Sequence, residues 1–266
     1  MAARKNSRKE PPERIDTDYG YIQIEDKTVG GEPVRFYRHN GAFSSGTYLT
    51  EEKKYEILFD YPKKYEEAFR FLKIRTALMI GGAAYQYPKY YISHHPGSMD
   101  VVEIDPAAER IAREWFFLED LYQDFDLYHN SRLRCITADA REYLDASDKV
   151  YDAIFNDAFS GSVPVPELAT LEAAAAIKAH LADRGIYMSN IIGSTIGKES
   201  EFLRAMVATT RKVFRYVHVL YTKPEDRNGL YQSNYMIMAT DREIEPEDKI
   251  RSHVSRYDPI LTDATI

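Results

Sequence analysis

Cysteine is nearly absent: Cys135 is the single one among 266 residues. One thiol excludes an intrachain disulfide framework and fits a reducing compartment, so a cytoplasmic setting is the expectation. Leu133 and Ile136 place it in strand-like sequence, where it reads as an inert structural thiol. Excess positive charge is missing as well, with a formal net charge of −7. Nucleic-acid binding needs a basic face to displace counterions, and no lysine or arginine stripe is visible beyond the N-terminal segment. No run approaches the roughly 18 apolar residues of a membrane helix. The most apolar helical stretch, Leu168 to Leu181, carries Glu172, Lys178 and His180. Neither a nucleic acid nor a membrane is therefore expected as a partner. There is no serine nucleophile elbow, no P-loop lysine, no internal repeat and no low-complexity tract. His94 and His95 lack cysteine or acid partners at metal-ligand spacing, so no metal is expected. The 21 tyrosines lack the basic groove of a base-stacking platform and read as core and strand residues.

What is present falls into segments. Residues 1–16 are basic and polar, with Pro11 and Pro12 and no apolar signal-peptide core, and read as a disordered leader. Residues 17–50 alternate apolar and polar positions over Tyr19 to Asp26 and again over Val34 to Arg38. Asn40-Gly41 then turns into Ala42-Phe43, which predicts a small antiparallel β domain. Residues 51–74 read as a helical connection kinked at Pro62. From residue 75 to 242 strands and helices alternate, the pattern of a mainly parallel α/β sheet. Strands are predicted at 76–81, 100–104, 132–137, 150–156 and 185–191, with helices at 106–118, 140–145, 166–182 and 197–213. Gly185 is expected to end the long helix. A closing hairpin, Tyr216 to Tyr221 and Tyr231 to Thr240, makes a seven-stranded, class I methyltransferase-like Rossmann sheet. Residues 243–266 read as a surface tail.

The chain turns on Thr76 to Pro88, where an apolar run enters Gly81-Gly82-Ala83-Ala84. About twenty residues later Asp100-Val-Val-Glu-Ile-Asp105 ends a second apolar run in acids. Strand, glycine turn, helix and acid-tipped strand are how α/β proteins hold a nucleoside: glycines admit the ligand to the backbone and the acid receives ribose hydroxyls. The third strand ends at Asp139 and the fourth at Asp157, so three consecutive strands deliver carboxylates to one sheet edge. Glu103 suits a ribose diol, Asp139 an exocyclic amine, and Asp157 whatever reacts. Asp105 and Asp139 also precede predicted helices, where capping is aspartate's ordinary use.

These motifs resemble the spermidine synthase family, the polyamine aminopropyltransferases, from about Tyr19 to Thr240. Leu-Met-Ile-Gly-Gly, Val-Val-Glu-Ile-Asp, Ala-Asp-Ala-Arg-Glu-Tyr-Leu and Tyr-Asp-Ala-Ile-Phe-Asn-Asp carry the likeness. Gly-Gly-Ala-Ala-Tyr-Gln-Tyr-Pro-Lys-Tyr and Asn-Asp-Ala-Phe-Ser-Gly-Ser-Val-Pro resemble a divergent bacterial, spermidine synthase-like branch. The resemblance implies a transferase that binds decarboxylated S-adenosylmethionine, or S-adenosylmethionine as in related methyltransferases. It puts Gly81 and Gly82 at the thioether, Glu103 at the ribose and Asp139 at the adenine amine, with Ala83, Ile104 and Ala140 also among the cofactor-binding residues. Asp157 becomes the base that deprotonates an attacking amine, a small-molecule acceptor; for a methionine carboxylate, Lys89 and the backbone amides of Ala83 to Gln86 are the visible donors. The resemblance also implies a homodimer through the N-terminal β domain. Departures lie on the substrate side: Ala84 and Ser160 stand where the synthases carry acids, and Gly20 where a glutamine is expected. Alkyl transfer to an amine is the leading expectation, with methyl transfer and a non-catalytic nucleoside-binding module as alternatives.

Overall fold

A computed structural model describes residues 10–160 and 163–266, with Ser160 and Val163 as backbone only. Residues 1–9 of the expected leader, and the side chain at Ser160, lie outside that description. Alternation in the N-terminal sequence produces four antiparallel strands in order: β1 (Arg14–Thr17), β2 (Gly20–Val29), β3 (Glu32–His39) and β4 (Ala42–Tyr48). Ile22, Ile24 and Tyr37 of this sheet are buried in the same cluster as the central core. Arg35 ties the two parts together, donating to the Trp115 carbonyl at 3.1 Å and to Asp26 at 2.6 Å.

The larger sheet follows from near-continuous apolar runs, as parallel strands covered on both faces require. Its strands are β5 (Thr76–Ile80), β6 (Ser98–Glu103), β7 (Leu133–Thr137), β8 (Tyr151–Asn156), β11 (Leu181–Gly193), β12 (Tyr216–Tyr221), β13 (Ser233–Thr240) and β14 (Lys249–Ile250). A two-stranded ribbon, β9 (Phe159–Ser160) and β10 (Val163–Pro164), leaves the end of β8. The spatial order is β14-β12-β13-β11-β8-β5-β6-β7; β11, β8, β5, β6 and β7 are parallel and β13 is antiparallel to both neighbours. Seven of these strands form the expected methyltransferase-like sheet, and β14 adds an eighth at the edge.

Successive residues of β5 serve opposite faces. Ala77 and Met79 join the core beneath α1 (Gln86–His94), α2 (Pro106–Trp115) and α3 (Leu118–Asp124), while Leu78 and Ile80 face the side of α5 (Ala140–Ala146) and α6 (Leu171–Ala179). The short α4 (Leu127–Asn130) follows α3, and α7 (Glu201–Thr210) packs Leu203, Met206 and Val207 on Ile191, Val219 and Ile237. Cys135 lies on β7, as its strand-like neighbours predict, and burial pushes its thiol up to about 11.

Several boundaries differ from the sequence reading. The stretch read as leader contributes β1 from Arg14, because Ile15 pairs with Ile22. Residues 51–60 form turns, and the expected kinked helix reduces to a 3-10 helix, Tyr61–Arg70, which Pro62 initiates; proline lacks the N–H that a first turn leaves unpaired anyway. The helix expected at 106–118 breaks at Phe117, whose φ is 64°. α6 stops at Ala179, where His180 is held by the Leu144 and Lys149 carbonyls, both at 2.6 Å. Gly185 consequently sits where the β11–β8 register shifts, a bulge and not a helix terminus. Residues 243–266 are docked: Leu171 N donates to the Leu261 carbonyl at 2.8 Å, and Arg141 pairs with Asp263 at 3.1 Å. No helix among the described residues is long and apolar enough to cross a membrane.

Candidate functional site

The carboxyl ends of β5, β6, β7 and β8 open into a cavity of about 380 Å³, roofed by the N-terminal sheet and the Tyr61–Arg70 helix. Gly81, Gly82, Ala83, Glu103, Ile104, Asp139, Ala140 and Asp157 all line it. The sequence-predicted residues are thus brought to one place.

The glycine loop is shaped by close approach. Gly81 has φ 89°, and a Cβ there would lie 2.7 Å from the Asp157 carbonyl oxygen. A Cβ on Gly82 would lie 3.0 Å from the Tyr85 ring and 3.3 Å from Glu103 Cβ. Ala83 and Tyr85 also take positive φ, 44° and 55°, conformations costly for residues with a side chain. The reward is a pair of inward-turned amides: Gly82 N and Ala83 N donate to Glu103 Oε2 at 2.7 and 3.0 Å. Asp105 N donates to Glu103 Oε1 at 3.0 Å. A carboxylate has about four acceptor positions, so these three bonds leave one. Asp105 caps α2 through Ala107 N at 2.8 Å, and Asp139 caps α5 through Arg141 N at 2.7 Å and Glu142 N at 3.2 Å. Asp139 both caps and lines the cavity.

Asp157 is half-buried beneath the glycine loop. Asn190 Nδ2 donates to its Oδ1 at 2.8 Å and Tyr61 OH to its Oδ2 at 3.0 Å. Asn234 Nδ2 in turn donates to Asn190 Oδ1 at 3.0 Å, so a chain of four polar groups crosses the cavity wall. Burial pushes the Asp157 carboxyl up to about 7, although both hydrogen bonds oppose the rise. Tyr61 is raised well above the ordinary phenol range by burial and then by Asp157, and so remains a neutral donor.

Sequence reasoning missed Tyr61, Asn190 and Asn234. Asn190 had a signal: it lies in the apolar strand end Ile-Tyr-Met-Ser-Asn-Ile-Ile, the anomaly that singled out Glu103. Tyr61 had none, because a tyrosine before a proline is ordinary sequence. Lys89, the donor suggested for a methionine carboxylate, is elsewhere. It is buried and donates to the Phe116 carbonyl at 2.5 Å and Thr47 Oγ1 at 3.2 Å, outside the cavity lining. His95 is stacked on Phe69 and bonded to Glu66 at 2.9 Å. Among the described residues no group of three or more histidine, cysteine or acidic side chains could hold a metal ion.

Residues 56–245 match the family model described as the spermine/spermidine synthase domain. Over 146 residues the chain is 32% identical to a polyamine aminopropyltransferase of Vibrio vulnificus (strain CMCP6), covering 53% of this chain. The chain spans 44% of that relative's length, less than half. In fold it is similar to a probable spermidine synthase from Corynebacterium glutamicum ATCC 13032, with a TM-score of 0.72 at 21% identity, covering 89% of this chain and 82% of that one. A spermidine synthase in complex with the transition state analogue AdoDATO aligns with a TM-score of 0.57 at 14% identity, covering 92% and 85%. Human methyltransferase-like protein 13 in complex with SAH aligns at 0.50 and 20%, covering 72% and 79%.

The raised Asp157 carboxyl makes a stability prediction. A group whose folded value lies above its unfolded one contributes stability at low pH that is lost as pH rises through the folded value, here from about 4 to about 7. Asp157→Asn keeps both hydrogen bonds, by accepting from Asn190 and donating to Tyr61, and removes the ionisation. Chemical denaturation should find the variant and wild type nearly equal below about pH 4, and the variant more stable by roughly 2 kcal/mol at pH 8, allowing for partial solvation.

Proposed function

The chain belongs to the spermine/spermidine synthase family, and from that premise we propose that it is a transferase acting on an adenosyl sulfonium. The donor is decarboxylated S-adenosylmethionine or S-adenosylmethionine, and an aminopropyl or other alkyl group passes to an amine. The observation that carries the reading is Asp157, a carboxylate on the cavity wall held between Tyr61 and Asn190 beside the glycine loop.

On this reading the remaining acceptor position of Glu103 takes a ribose hydroxyl, and the amides of Gly82 and Ala83 hold that carboxylate in place. Asp139 accepts from the adenine amine, with Ile104 and Ala140 against the base. Gly81, Gly82 and Ala83 border the thioether, where side chains would obstruct it. The acceptor enters as an ammonium and cannot attack until it loses a proton. Asp157 accepts that proton, the freed nitrogen pair forms the new bond to the carbon on sulfur, and the C–S bond breaks with its electrons left on a neutral thioether. Tyr61 and Asn190 hold both carboxylate oxygens in place, which favours alignment of the amine with the sulfonium carbon. Charge falls from two cations to one at the reacting centres, so a low-dielectric cavity suits the reaction.

Thermal unfolding with S-adenosylmethionine, its decarboxylated form and methylthioadenosine tests the nucleoside site. A ligand at a hundred times its Kd adds about 2.7 kcal/mol, and absence of a shift with all three ends the reading. With the donor that binds best, kcat/KM should rise tenfold per pH unit below about 7 and level off above, because the base acts ionised and kcat/KM reports the free enzyme. Product formation unchanged in Asp157→Asn would remove that residue from its role. Among the described residues the β1 edge of the N-terminal sheet has no neighbour in its sheet beyond β2, and exposed edges invite pairing. We expect a dimer of the 30.7 kDa chain at micromolar concentration by sedimentation; a monomer would overturn that expectation.

A further inference from the structure

The charges around the cavity restrict the acceptor, provided the transferase reading holds. Five carboxylates line it among the described residues: Asp60, Glu103, Asp105, Asp139 and Asp157. Glu103, Asp105 and Asp139 are engaged by backbone amides at the ends of β6 and β7. Asp157, bonded to Tyr61 and Asn190, is the group available to the reacting amine. Only Asp60 is left for any further cation, the donor's own ammonium included, and it is already paired with Lys63 at 3.0 Å and, at 3.9 Å, with Lys223. Lys223 itself lines the cavity, the single lysine or arginine to do so among the described residues. With two lysines against one aspartate, the Asp60–Lys63–Lys223 group has an excess of positive formal charge.

The rest of this wall is uncharged. Asn190 and Asn234 are amides, Gln86 is spent on Leu58 N at 3.1 Å, and Phe43, Phe59 and Tyr61 supply aromatic surface. An ammonium removed from water without an anionic partner is costly, and one brought towards a net positive group is opposed further. An amine with an apolar body meets neither penalty, because one carboxylate serves its one charge and the rings accept its carbon chain.

We infer that the acceptor is a monoamine with an apolar body, and that the Lys223 ammonium on the cavity wall discriminates against di- and polyamines. Selection against a second charge is a specificity device, since the wrong substrate is rejected by an unpaired cation as well as by the loss of a favourable contact.

The test compares butylamine with 1,4-diaminobutane, which share a carbon chain and differ by one terminal ammonium. Each is titrated by calorimetry into the full-length protein saturated with methylthioadenosine. Butylamine should bind at least tenfold more tightly, and Lys223→Glu should narrow that ratio at least tenfold by strengthening the diamine. Lys223 is half exposed, so its replacement does not threaten folding. Equal binding, preference for the diamine, binding of neither amine, or a ratio unmoved by Lys223→Glu each overturns the inference while methylthioadenosine still binds. Failure of methylthioadenosine to bind takes down the transferase reading first, and this inference with it.

Discussion

The structure of the site depends on one close passage of backbone over backbone. The loop after β5 crosses the loop after β8 so tightly that a methyl group at Gly81 would collide with the Asp157 carbonyl. Asp157 N also bonds the Ile80 carbonyl at 2.9 Å, so the two strand ends are stitched at that point. The contact lowers the glycine loop onto the sheet edge, turns two amides toward Glu103, and brings Asp157 under the space those amides border. Strained φ values at Ala83 and Tyr85 persist because the bonds to Glu103 and the packing of the Tyr85 ring over-determine them. The glycine loop and the Asp157 carboxylate are therefore positioned by a single contact.

Asp157 carries opposing demands that the fold does not reconcile. Burial raises its carboxyl toward neutrality, while Tyr61 and Asn190 each donate to it and favour the anion. A carboxyl with a value near 7 is ionised often enough to accept a proton and basic enough to hold it, which neither an exposed aspartate nor a fully desolvated one achieves. The cost falls on stability above neutral pH. Natural sites tolerate such costs when neighbouring packing is secure, and here Tyr65, Tyr87 and Phe155 supply it directly beneath, with ring centroids 4.8 to 5.2 Å apart.

How much of this was legible depends on whether the signal was local. β12 lies where its alternation puts it, and the ends of β5 and β8 fall within one residue of expectation, because parallel strands covered on both faces must be apolar throughout. The Glu103 anomaly, an acid ending an apolar strand, was visible, and its specific partner is the glycine loop twenty residues upstream. Asn190 carried the same kind of signal, more weakly, since an amide is a lesser offence against an apolar strand than a charge. Tyr61 could not be found: its role comes from the N-terminal segment folding over the sheet, a contact spanning 96 residues. The misplaced helix over 51–60 and the end of α6 reflect tertiary partners of another kind, with the His180 carbonyl bonds stopping a helix that its alanines would have continued.

The same distinction separates the two halves of the cavity. The half proposed to hold the nucleoside is made of chain-local devices, a glycine turn and caps at strand ends, which sequence displays in order. The other half, proposed to receive the acceptor, is assembled from the N-terminal sheet, the Tyr61–Arg70 helix, the ends of β11 and β13 and the loop after β12, parts remote in sequence. Altering Asp60 or Lys223 leaves the hydrogen bonds between Glu103 and the glycine loop untouched, so the two halves can change separately. Charge accounting over the assembled wall, rather than likeness along the chain, is accordingly the route to the acceptor. In this chain that accounting leaves one carboxylate for one amine.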